Sequence, residues 1–97
     1  MRVARNSIHS FEYRLFALRL RRARERAGLT QVEAARALGR PQSMVSKAET
    51  GERRLDMVEL LAFLALYGVR IGDFVRPRLT AEERALKAAT DSRHQTR

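Results

Sequence analysis

The chain of 97 residues contains no cysteine, so it can form neither a disulfide framework nor a thiolate metal site, and it offers no thiol nucleophile. Histidine is nearly absent: His9 and His94 stand near opposite ends with no ligand spacing between them, and neither a metal nor another cofactor is expected. No apolar run approaches the roughly 20 residues of a membrane-spanning helix. Met1-Arg2-Val3-Ala4-Arg5 is not followed by the apolar core of a signal peptide, so no membrane partner and a cytoplasmic location are expected. No stretch alternates apolar and polar residues long enough to be a strand, and no segment repeats another. The carboxylates lack a partner histidine or nucleophile, so no enzyme site is expected.

Arginine is what the chain has in excess. The formal charge of +9 is concentrated toward the ends: residues 1–28 carry +6, residues 29–75 balance to zero, and residues 76–97 carry +3. A field of that sign favours a polyanion, while the neutral middle leaves any discrimination to a few placed side chains. A chain of this length sustains one small domain with a modest core, supplemented by self-association.

Glycines at 28, 39, 51 and 68 each follow a helix-like segment and punctuate the chain into short helices. Ser10 is a good N-cap, and Phe16, Leu20, Ala23 and Ala27 recur at helical spacing beside a row of Arg19, Arg22 and Arg26. A first helix over 11–27 follows from this pattern. Thr30-Gln31-Val32-Glu33 reads as a capping box heading a second helix over 31–38, with small Ala34 and Ala35 for close packing. Gly39-Arg40-Pro41 forms a turn into a third helix over 42–50. Val45 and Ala48 point inward from it, leaving Gln42, Ser43, Met44, Ser46 and Lys47 on the open side. Asp56 and Glu59 cap a fourth helix ending at Gly68, and residues 71–75 add a further turn. Thr80-Ala81-Glu82-Glu83 heads a short helix over 81–89 with little to bury, followed by a disordered tail. Three regions result: an N-terminal arm (1–10), a compact domain (11–76) and a C-terminal segment (77–97).

Gly28-Leu29-Thr30-Gln31, Leu38-Gly39, Gln42-Ser43, Val45-Ser46-Lys47, Glu49, Gly51 and Gly68-Val69, with Arg24 and Ala35, carry a resemblance to a known family. The stretch from about 14 to 75 resembles the Cro and lambda-repressor type of helix-turn-helix domain, also called the xenobiotic-response-element (XRE) family. The resemblance implies an all-α, compact five-helix bundle, here with a short extra C-terminal helix. It also implies a homodimer that binds a near-palindromic DNA operator with the third helix in the major groove, and for such a DNA-bound chain a nucleoid-associated location is expected. Pro41 departs from the pattern, since the family often has a Ser or Thr cap there, and residues 1–10 and 76–97 lie outside it.

On this reading Gln42, Ser43, Ser46 and Lys47 face the bases. A glutamine amide can pair with adenine N6 and N7 at about 1–3 kcal/mol of discrimination, and a lysine suits guanine O6 and N7. Thr30, Gln31, Arg40, Met44, Arg53 and Arg54 lie along the backbone, Gln31 by resemblance on a phosphate and Met44 against a sugar or thymine methyl. The resemblance also implies that Arg24 and Glu49 form an ion pair that fixes the third helix. The fourth helix is apolar around most of its circumference, so Leu61, Leu66, Ile71, Phe74 and Val75 are expected at a twofold interface. The functional expectation is a sequence-specific transcriptional regulator, repressor or activator. The alternatives are an antitoxin that autoregulates its operon and, from another class, a basic RNA- or ribosome-associated protein. The latter should display base-stacking aromatics, whereas the six aromatics here sit mostly at core-like positions.

Overall fold

Side-chain capping by Ser10, Thr30, Asp56 and Thr80 sets where the first, second, fourth and last helices begin, and the glycines set where most of the helices end. The computed structural model describes residues 10–95, and among these it contains six helices and no strand. They are α1 (Phe11–Arg26), α2 (Gln31–Leu38), α3 (Gln42–Thr50), α4 (Met57–Tyr67), α5 (Ile71–Phe74) and α6 (Ala81–Gln95). Expectations that fall on residues 1–9 and 96–97 lie outside the described residues.

Both Thr30 and Asp56 form full capping boxes with Glu33 and Glu59, each side chain accepting from the N3 amide while the glutamate accepts from the cap N–H. Gly39 and Gly51 close α2 and α3 at φ 68° and 82°, the left-handed region that a Cβ disfavours, so α3 is bounded at both ends by sharp turns. Pro41 caps α3 without a side-chain hydrogen bond.

Leu20 and Ala23 from α1, Ala34 and Ala35 from α2, and Val45 and Ala48 from α3 meet Phe63, Leu64 and Tyr67 of α4 in one core. The small side chains of α2 and α3 let these two helices approach closely. Fully buried Val45, Phe63 and Leu64 each contribute about 1.5–3 kcal/mol through burial alone.

The C-terminal segment departs most from expectation. A helix over 81–89 with little to bury was expected, yet α6 continues to Gln95 and packs along α1. Lys87 pairs with Asp91 at 3.1 Å and the buried Thr90 hydroxyl donates to the Leu86 carbonyl at 2.9 Å, so helical interactions continue beyond Ala89. Arg19, expected in a row with Arg22 and Arg26 beside the apolar stripe, is 5% exposed. Its five N–H donors are all engaged: Glu83 Oε2 at 3.0 Å, Glu83 Oε1 at 3.2 Å, and the carbonyls of Phe74, Arg76 and Arg78. One side chain of α1 thereby ties down α5, the loop after it and the first turn of α6.

Candidate nucleic-acid interface

The placement of α3 follows from a buried stripe of Met44, Val45, Ala48 and Glu49, at spacings of one, three and one along a helix of nine residues. The opposite face leaves Gln42, Ser43 and Lys47 exposed and Ser46 half-buried. Met44 is a correction. It is only 6% exposed and belongs to the core, because helices on both flanks of α3 widen the buried stripe beyond Val45 and Ala48. A methionine sealed in this way cannot reach a phosphate, a sugar or a thymine methyl.

Glu49 enters the interior only because Arg24 meets it there. Arg24 Nε stands 2.6 Å from Glu49 Oε2 and Nη2 3.0 Å from Oε1, a two-pronged pair, while Nη1 donates to the Leu29 carbonyl at 2.7 Å. The Glu49 hydrogen bond raises the Arg24 pKa above its ordinary value, against the opposing effect of burial. Burial, reinforced by the Glu49 charge, pushes the nearby Tyr67 hydroxyl up to about 12.

The pair extends toward the open surface. Gln31 Nε2 donates to Glu49 Oε1 at 3.0 Å, and Gln42 Nε2 donates to Gln31 Oε1 at 3.4 Å. An unbroken chain of polar contacts therefore runs from Arg24 in α1 to Gln42 at the start of α3. Gln31, expected on a phosphate, is engaged at both ends of its amide within the protein and holds Gln42 in place. Nothing in the sequence pattern signals this linkage beyond the proximity of the two helix starts.

The basic residues fall into two groups. Arg40, before α3, and Arg53, after it, converge on Glu59: Arg53 Nη2 lies 3.1 Å and Arg40 Nη2 3.5 Å from Oε2. The capping glutamate of α4 thus gathers two cations from opposite ends of α3, a role hidden behind its capping-box position. Arg54 instead lies over the Tyr13 ring, 5.2 Å from its centroid. Thr30 is exposed at the start of α2, where its hydroxyl accepts the Glu33 amide.

The expected apolar interface divides. Phe74 is 4% exposed and stacks on Phe16 at 5.5 Å, so it belongs to the core of its own chain and cannot be an interface residue. Leu66 is half-buried against the core. Leu61, Ile71 and Val75 are exposed, together with Met57 and Val58 in the first turn of α4, where Val58 is 77% exposed. These two escaped notice in the sequence because the capping pattern dominates that turn.

A short helix fixed across a tight turn, with an exposed polar face and arginines at both ends, defines a helix-turn-helix DNA-binding protein. The chain belongs to the helix-turn-helix domain family, whose profile matches residues 15–76. No curated protein matches it. No helix among the described residues is long and apolar enough to cross a membrane.

Proposed function

We propose that the chain is a sequence-specific, dimeric transcriptional regulator of a near-palindromic operator, in the manner of XRE-type domains, with α3 lying in the major groove. The observation that carries this reading is the division of α3. Its buried side is fixed through Arg24 and Glu49, and its exposed side consists of Gln42, Ser43 and Lys47, which suit base edges. Gln42, Ser43, Ser46 and Lys47 read bases. Thr30, Gln31, Arg40, Arg53 and Arg54 follow the backbone, and the Arg40–Glu59–Arg53 cluster carries a net positive charge toward it.

Two copies meet through the exposed residues Met57, Val58, Leu61, Ile71 and Val75, and a twofold contact there matches operator symmetry. Replacing Val58 with Glu should yield monomers by sedimentation together with much weaker operator binding. A native chain that stays monomeric at micromolar concentration would remove the dimer from this reading.

The decisive experiment is selection of bound duplexes from a random pool. Recovery of a near-palindrome supports the proposal, and equal retention of random DNA and RNA defeats it. On the selected site, Lys47→Ala and Gln42→Ala should relax preference at particular positions by about 1–3 kcal/mol. Arg53→Ala should weaken all sequences alike and shallow the salt dependence.

A further inference from the structure

Behind the loop that follows α3 lies a cleft of about 140 Å³ between α1, residues 51–55, α4 and α5. Its deep wall is formed by buried Leu20, Ala48 and Phe74, and Phe16, Leu55 and Leu60 complete it. Among the described residues, no lining side chain apart from Tyr13, Arg53 and Arg54 carries a polar atom, and none is acidic. Water gains little in such a space, whereas an apolar cavity of this size accommodates roughly one benzene ring. The rim is different in character. Arg54 is exposed there over the Tyr13 ring, and Arg53, paired with Glu59 through both Nη1 and Nη2, adds a second guanidinium.

We infer that this cleft binds a small monocarboxylic acid with an apolar body, a single aromatic ring or a short alkyl chain, its carboxylate directed to Arg54 and Arg53. Shape selects the body and charge selects the head. A cation of the same shape meets two guanidinium groups, and a neutral analogue gains only the apolar contact. Arg53 and Arg54 are also residues assigned above to the DNA backbone, so a bound carboxylate competes with phosphate for them and weakens operator binding. That coupling rests on the proposed function; binding of the acid does not.

The test is a titration of the full chain, without DNA, with benzoate, benzyl alcohol and benzylamine, followed through leucine and valine methyl NMR signals. Benzoate should produce saturable shifts at Leu20, Leu55, Leu60 and Val75 with Kd on the order of 1 mM, ordinary for a ligand of roughly nine non-hydrogen atoms. Benzylamine should bind at least about tenfold more weakly. Arg54→Gln, at an exposed position, should bring benzoate down to the level of benzyl alcohol without changing the alcohol. No saturable benzoate shift, or equal binding of acid and amine, overturns the inference. It is equally overturned if removing residues 1–9 shifts the same methyl signals without added acid and opens the site to all three probes alike, since the chain's own arm would then be the occupant. Because binding is read without DNA, failure here leaves the DNA-reading proposal standing, and failure of operator selection leaves the acid site standing.

Discussion

Two arginines five residues apart on α1 each take a glutamate into the interior, and the helix rotates about 140° between them, so they serve different faces. Arg24 reaches Glu49 beneath α3, and Arg19 reaches Glu83 at the start of α6. Their surroundings differ in kind. Arg24 makes one backbone contact and passes its order through Gln31 to an exposed residue, whereas Arg19 engages three carbonyls and ends in the interior. One pair orients a surface, and the other closes the bundle. A buried ion pair is weak evidence of net stability, because burying both charges is costly, yet removing one partner leaves the other stranded.

The largest effect is expected where removal damages both stability and surface. Arg24→Met should destabilise the fold by about 3–5 kcal/mol, measured by urea denaturation, because Glu49 remains buried without its partner. Its hydrogen bond from Gln31 does not restore the charge balance. The variant should also lose operator affinity beyond its folded fraction, since α3 is no longer fixed. A variant that retains full stability and full affinity would show that Glu49 is held by other means.

Glu83→Gln tests the second pair and should act on a different region. Burial by itself raises the pKa of Glu83, but hydrogen bonds from Arg19, the Thr80 N–H and Arg76, with the Arg19 charge, outweigh it and hold the carboxyl at about 2 rather than 4.5. A depressed carboxylate contributes its stability above the unfolded value. That contribution is complete above about pH 4.5 and is lost as pH falls toward 2, and its size is on the order of 3 kcal/mol. The stability advantage of the wild type over Glu83→Gln should therefore be largest near neutral pH and vanish near pH 2. Hydrogen exchange should quicken throughout α6 while α2 and α3 keep their protection. A pH-independent difference, or loss of protection that begins in α3, would break the division of labour between the pairs.

The two pairs also differ in how far the sequence announced them. Arg24 and Glu49 sit inside the pattern that carries the family resemblance, and that resemblance implies their pairing. Glu83 was visible only as the fourth residue of a capping box, a role it does fulfil, since its Oε1 accepts the Thr80 N–H at 3.0 Å. The same carboxylate binds Arg19 across 64 residues of chain, and no local rule encodes that second role. Helix starts were legible because caps are local chemistry; the end of α6 was not, because it depends on Lys87, Thr90 and Asp91 acting together on a helix already docked. At the candidate interface the exposed face of α3 was legible from periodicity, except at Met44, where the width of the buried stripe depends on which helices flank α3. The engagement of Arg53 by Glu59 and of Gln31 by Glu49 is tertiary and left no sequence signal.

The smallest expected effect sharpens the comparison most, because it holds the helices constant and changes only burial. Glu82 precedes Glu83 in the first turn of α6 and pairs with Arg22, which lies one helical step from Arg19, so both pairs bridge α1 and α6. The Arg22 and Glu82 side chains are 36% and 55% exposed, against 5% and 3% for Arg19 and Glu83. Exposed pairs gain little in high dielectric and give up side-chain freedom, so Glu82→Gln should cost no more than about 0.5 kcal/mol and less still in high salt. Glu83→Gln, one residue further on, should cost several times as much and respond little to salt, because water does not reach it. Urea melts of the two variants at low and high ionic strength decide the matter. If Glu82→Gln proves as damaging as Glu83→Gln, then α6 is held to α1 by charge along its whole first turn, and the buried arginine is not the clasp.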